Sequence, residues 1–137
     1  MSLLVLSEIQ LFPIIKMNPQ VKEKWVNALR SGDYSQNTDG RLRNQNGFCC
    51  LGVLCDLYAK ENDKEWDDNQ YFEYYLFEDH YEFPPESVIE WAGLSCENPE
   101  VKIVSGIEHY STVETLACLN DSAVTFNEIA NLISSQL

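Results

Sequence analysis

The stretch Asn46-Gly47-Phe48-Cys49-Cys50-Leu51-Gly52-Val53-Leu54-Cys55-Asp56-Leu57-Tyr58 decides how the rest of the chain is read. Cys50, Leu51, Val53, Leu54, Cys55, Leu57 and Tyr58 are apolar and cover nearly the whole circumference of a helix. A helix that is apolar all round is a buried one, and in a short chain its neighbours must pack around it. Asn46-Gly47 is a turn signal, since glycine takes left-handed backbone conformations without steric cost. The pattern predicts a tight turn, a short strand at Phe48 and a central helix from about Cys50 to Lys60.

Outward from this helix, the N-terminal side reads as a helix and a hairpin. Asn18-Pro19 is an N-cap followed by proline at the first helical position. Val21, Trp25, Ala28 and Leu29 then fall on one helical face, and Ser31-Gly32 ends the helix with glycine at the left-handed C′ position. Residues 33–40 are polar and turn-rich. Arg41-Leu42-Arg43 alternates as a strand does, and the chain returns through 44–47 to Phe48, which predicts a small hairpin. Asp56 is the one acid inside the apolar run; it either faces solvent or, since a buried acid needs a partner, pairs with Arg41 or Arg43 of the hairpin, the pairing being preferred to a catalytic role.

On the C-terminal side, residues 61–70 are an acidic loop. Residues 71–83 hold seven aromatics, Tyr71, Phe72, Tyr74, Tyr75, Phe77, Tyr81 and Phe83. Such a run favours a strand or hairpin, with its rings covering the central helix. Pro84-Pro85 opens a helix with Val88, Ile89 and Ala92 inward, and Gly93-Leu94 closes it. Val101 to Val104 reads as a short strand, Thr112 to Leu119 as weakly helical, and Asn120 to Ala123 as a turn. Thr125-Phe126-Asn127-Glu128 is a capping box, with Val124 and Ile129 placed as a hydrophobic staple. Together these elements predict one α+β domain over residues 17–137. It has a buried central helix, about three surrounding helices and a small antiparallel sheet from the hairpin and aromatic segments.

Composition fits one ordinary globular domain: 137 residues, 45% hydrophobic. Residues 1–16 are rich in Leu and Ile but lack a basic n-region. Glu8 and Gln10 interrupt them, so they read neither as a signal peptide nor as a membrane span. Met17 is an expected native start, which makes 1–16 an N-terminal extension, and self-association through it is one expectation. Five cysteines, none in a Cys-x-x-Cys pair, suit free thiols in a reducing cytoplasm better than a disulfide framework.

The net charge of −13 is uneven. Residues 1–60 carry seven Lys/Arg against five Asp/Glu, whereas residues 61–100 carry one against thirteen. The plain meaning is a solvated face; the sharper one is a surface that mimics nucleic acid or docks a basic protein. Asp63, Glu65, Asp67 and Asp68 would form its charged rim and Tyr71, Tyr74 and Tyr75 its anchors. Nucleic acid held by direct phosphate contacts is not expected of so acidic a chain, which lacks clustered Lys and Arg.

Candidate chemistry centres on the cysteines. Cys49 and Cys50 sit at a helix start, where the dipole lowers a thiol pKa, as cysteine hydrolases and transferases require. Gln45 would donate to an oxyanion, His80 or His109 would act as base, and Asn120 or Asp121 would orient it. The competing reading, that the thiols are packed core groups, is preferred, because a triad is recognised by geometry rather than chain order. No metal is expected: Cys-Cys-x4-Cys lacks zinc spacing, and Asp63-x-Glu65-x-Asp67 lacks the Gly and Glu of a calcium loop. No cofactor is expected either, since there is no glycine-rich phosphate loop, dinucleotide fingerprint or Gly-x-Ser-x-Gly elbow.

Four blocks carry a resemblance. They are Asn18-Pro19 with Trp25 to Gly32, Gly47 to Leu57, Phe83-Pro84-Pro85-Glu86, and Leu119-Asn120-Asp121 with Phe126 to Ala130. The chain resembles a family of small uncharacterised proteins of tailed phages and bacterial genomes, marked by the run Cys-Cys-Leu-Gly-Val-Leu-Cys-Asp. The resemblance spans about residues 17–137 and implies no catalytic residues. Residues 1–16 and the acidic, aromatic middle depart from its compact pattern. The reading that follows is a non-enzymatic accessory or interaction module acting in the host cytoplasm, with the cysteine enzyme as the alternative.

Overall fold

A computed structural model describes residues 16–68, 71–105 and 110–137. The expected extension at 1–16 therefore lies outside the described residues except for Lys16. The central helix, α2, runs Cys50–Glu61, and every residue from Cys50 to Asp56 is buried. Cys49 precedes it in extended conformation, and its Sγ accepts from the Gly52 N–H at 3.3 Å. The helix reaches the surface only in its last turn, where Lys60 and Glu61 are exposed.

Among the described residues four helices surround it: α1 (Pro19–Arg30), α3 (Glu86–Ala92), α4 (Leu116–Asp121) and α5 (Phe126–Gln136). Helix α1 begins as its cap chemistry requires, with Asn18 Oδ1 accepting from the Gln20 and Val21 N–H groups at 2.9 and 3.2 Å. Its buried stripe is Val21, Trp25, Val26 and Leu29, and the Trp25 indole donates to the Cys50 carbonyl at 2.9 Å. That bond ties α1 to the first turn of α2 and satisfies a polar handle in the core. Gly93 closes α3 in the left-handed region, with Leu94 N–H reaching the Ile89 carbonyl at 3.0 Å. Thr125 caps α5 through its hydroxyl to Glu128 N–H at 3.2 Å, and Ile129 beyond it is fully buried.

The strands of the described residues form two two-stranded antiparallel sheets. Strands β1 (Arg43–Asn44) and β2 (Gly47–Phe48) make the hairpin that feeds α2. Strands β3 (Glu100–Ser105) and β4 (Tyr110–Thr115) make the other, in register Lys102 to Val113. The Gln136 side chain at the end of α5 bonds both the N–H and the carbonyl of Lys102, at 2.7 and 2.8 Å. It thereby closes the outer edge of β3.

Two expectations are corrected here. The aromatic run is not a strand, and its hairpin is reduced to one tight turn: Tyr74, Leu76 and Phe77 make single bridges to Asn44, Asp67 and His80 respectively, so no ladder forms. Glu78 and Asp79 both take positive φ, and the chain reverses there. Thr112 to Leu119 is not one weak helix. Its first half belongs to β4, because Thr112 and Val113 are β-branched and meet a partner strand, and only Leu116 onward is helical.

Helix α4 ends in a Schellman turn, Val124 N–H bonding the Leu119 carbonyl at 3.0 Å, with Ala123 left-handed at φ 64°. An exposed non-glycine residue there carries strain of about 1 kcal/mol. Ala123→Gly is accordingly expected to raise stability by about 0.5–1 kcal/mol, read as a higher urea midpoint at unchanged slope.

Candidate functional site

The surface that gathers most of the unusual chemistry begins where α2 emerges from the core. Asp56 is buried and carries three partners: the Tyr34 hydroxyl at 2.5 Å, the Trp66 indole N–H at 3.0 Å and Lys60 Nζ at 3.1 Å. Its counter-ion is thus Lys60, one turn on, and not Arg41 or Arg43 as the hairpin suggested. The two arginines lie on aromatic rings instead. Arg43 stacks over Tyr75 at 4.2 Å and Phe48 at 4.8 Å, and Arg41 over Tyr74 at 4.5 Å and Tyr81 at 5.0 Å. A guanidinium is planar and weakly hydrated, so a ring face satisfies it where an ammonium would prefer a carboxylate or water.

The aromatic rings divide into two groups. Trp66, Phe77, Tyr58 and Trp91 touch edge to face or tilted at 5.0 to 6.1 Å and cover the end of α2, as expected of core rings. Phe72, Tyr74 and Tyr81 form an outer group, with Phe72 stacked on Tyr74 at 5.0 Å and Tyr74 tilted against Tyr81 at 5.3 Å. Phe72 is 46% exposed, Tyr81 41% and Tyr71 94%. Asp63, Glu65, Asp67 and Asp68 are all exposed beside this segment in the chain. The Asp67 backbone exchanges bonds of 2.7 and 2.9 Å with Leu76, which fastens the acidic loop to the aromatic one.

The cysteines are placed differently. Cys49, Cys50 and Cys55 are buried, whereas Cys96 and Cys118 are exposed. Burial pushes the Cys49 thiol from 9.0 up to about 12, outweighing the hydrogen bond from Gly52, and drives Cys50 and Cys55 well above 9.0 as well. A thiol at about 12 holds roughly one thiolate in 10⁵ at pH 7. Desolvation therefore wins over the helix dipole at this helix start.

His80 is exposed on the turn after Phe77, its Nδ1 2.8 Å from the Glu78 carbonyl oxygen, and His109 lies outside the described residues. Gln45 is exposed at the hairpin turn. Asn120 is fully buried and accepts from the Cys50 N–H at 3.1 Å. Asp121 is exposed and accepts from the Asn120 amide at 3.4 Å. Asn120 thus orients the backbone at the start of α2. Among the described residues no group of three or more His, Cys, Asp or Glu is placed to hold a metal ion. No helix of those residues is long and apolar enough to cross a membrane.

A family described as a domain of unknown function, DUF8296, matches residues 17–137. The chain belongs to that family. No curated protein and no solved structure matches it.

In this DUF8296 chain the structure brings Tyr74 and Tyr75 onto the two hairpin arginines and leaves Tyr71 outermost. Phe72, Tyr81 and Arg41 are part of the same surface and were missed as site residues. The density of aromatics around Tyr71, Tyr74 and Tyr75 was the available signal.

The thiol placement has a direct consequence. Native protein at pH 8 is expected to take two iodoacetamide adducts, on Cys96 and Cys118, and five after denaturation, counted by intact mass. Folding favours the protonated form of Cys49, so its contribution is complete below about pH 9 and is lost as pH rises toward 12. For Cys49 this amounts to roughly 4 kcal/mol. A third native adduct at pH 8 would restore an accessible buried-helix thiol and with it the nucleophile.

Proposed function

We propose that this DUF8296 chain is a non-enzymatic accessory module of phage type, working in the host cytoplasm by docking a basic protein on its 61–82 face. One observation carries the reading. Four large hydrophobic side chains are exposed among the described residues, and three of them, Tyr71, Phe72 and Tyr81, fall in this one acidic stretch. Exposed rings inside a charged rim are what a docking surface offers: the rings supply anchoring area, and the carboxylates steer a cationic partner. The phage-type assignment is supported by the Cys-Cys-Leu-Gly-Val-Leu-Cys-Asp run, and the cytoplasmic one by five free cysteines. Burial of the three thiols on and before α2 weighs for this reading over the cysteine enzyme.

The test converts Asp63, Asp67 and Asp68 to Asn and Glu65 to Gln, then compares proteins retained from a host lysate at two salt concentrations. Wild type is expected to retain basic proteins at low salt and release them steeply as salt rises, and the neutralised variant to lose them. An unchanged, salt-insensitive set would reduce the acidic stretch to a solvated face.

A further inference from the structure

The same face has a preference built into it, and the inference rests on the docking role just proposed. Among the described residues the ion pairs are Lys24 with Glu61 at 3.4 Å and Lys60 with Asp56 at 3.1 Å. Asp63, Glu65, Asp67, Asp68, Glu73 and Glu82 therefore have no cationic partner within the described chain. Two arginines of this face lie over rings: Arg41 over Tyr74 and Tyr81, and Arg43 over Tyr75. The surface thus already holds guanidinium groups over aromatic rings and leaves these carboxylates without a cation. Phe72, stacked on Tyr74 and 46% exposed, offers a further ring of the same kind, and the exposed acids Glu73 and Glu82 directly follow Phe72 and Tyr81 in the chain.

We infer that the partner presents an arginine-bearing segment, one guanidinium of which lies on Phe72 while its N–H edges reach the flanking carboxylates. A guanidinium can do both at once, because stacking uses its face and bidentate hydrogen bonding uses its edge. A lysine ammonium is a compact, strongly hydrated charge and gains only the general attraction of the rim. The selectivity sits in the ring, and the salt dependence sits in the acids.

The experiment titrates the full chain, by fluorescence anisotropy, with an arginine-rich and a lysine-rich labelled peptide of equal length and charge. At about 0.15 M salt the arginine peptide is expected to bind about tenfold more tightly, the gain one partly desolvated cation–π contact supplies. Phe72→Ser, with its circular dichroism checked against wild type, is expected to bring the two affinities within about twofold by removing that contact. Glu73→Gln with Glu82→Gln weakens both peptides. Equal binding of the two peptides by wild type would overturn the arginine preference while leaving the docking face intact. A preference that survives Phe72→Ser would overturn the ring as its source. If neither peptide binds even at low salt, both the preference and the docking role fall.

Discussion

Replacing Gly52 by alanine is expected to unfold the protein. A Cβ at this position would lie 1.8 Å from the Leu42 carbonyl oxygen and 2.7 Å from its carbon, far inside any real contact. Both atoms are backbone, so no side chain can swing aside. The Leu42 carbonyl is fixed by accepting the Cys49 N–H at 3.1 Å, its own N–H donates to the Tyr81 carbonyl at 2.7 Å, and its side chain is fully buried. Helix α2 cannot retreat either, since Leu51, Val53, Leu54 and Cys55 are buried on its other sides. The strain is expected to cost about 4 kcal/mol or more. That is comparable with the roughly 5–15 kcal/mol that hold a domain together. Gly32→Ala is the control. Gly32 has φ +79° but nothing within 4 Å of its added Cβ, so it loses only about 1–2 kcal/mol of left-handed strain. Urea denaturation of the two variants side by side tests the claim. Equal midpoints would mean that the approach of Leu42 to α2 is not as described.

What the sequence revealed and what it hid follow a physical line. The caps at Asn18, Gly32, Gly93 and Thr125 were legible because each depends on residues within a few positions of itself. The central helix was legible because an apolar run of that length has no surface face to offer. The partner of Asp56 was not legible. Arg41 and Arg43 were reasonable counter-ions on charge alone, but nothing local says that their guanidinium groups will lie on Tyr74, Tyr75 and Tyr81. The fate of Thr112 and Val113 also depended on a distant strand, Glu100–Ser105. On the candidate site, composition marked the acidic, aromatic stretch, while the division into covering rings and outer rings needed the fold. The exposure of Cys118 was not legible, because cysteine's apolar character does not choose a face; on α4 the inward positions went to Leu116, Leu119 and Asn120.

The role of Asn120 was the most deeply hidden, because the partners that join it to other elements lie 70 to 84 residues away, and it carries the second large expected effect. Its Oδ1 accepts from the Cys50 N–H at 3.1 Å and from Gln36 Nε2 at 3.0 Å, while its Nδ2 donates to the Asn37 carbonyl at 2.8 Å. The Cys50 N–H is one of the donors that the start of α2 cannot satisfy within the helix. One fully buried amide therefore joins the central helix, α4 and the loop before the hairpin. In Asn120→Ala, Gln36 keeps its bond to the Val124 carbonyl at 2.8 Å, but the Cys50 N–H and the Asn37 carbonyl each lose this partner. At about 1–3 kcal/mol for each unpaired buried group, the expected loss is about 2–5 kcal/mol. Asn120→Asp separates this account from simple packing. It keeps shape and acceptor, loses the donor to Asn37, and sets a buried carboxylate beside Asp121. Burial and that neighbour raise its pKa, so proton uptake favours the folded form. The deficit of Asn120→Asp relative to wild type should therefore shrink from pH 8 to pH 5, while that of Asn120→Ala stays constant. Urea midpoints of the three proteins at both pH values decide it. If Asn120→Ala lies within about 1 kcal/mol of wild type, the amide does not hold α2 in place; if the aspartate deficit is flat with pH, the site is wetter than its burial implies.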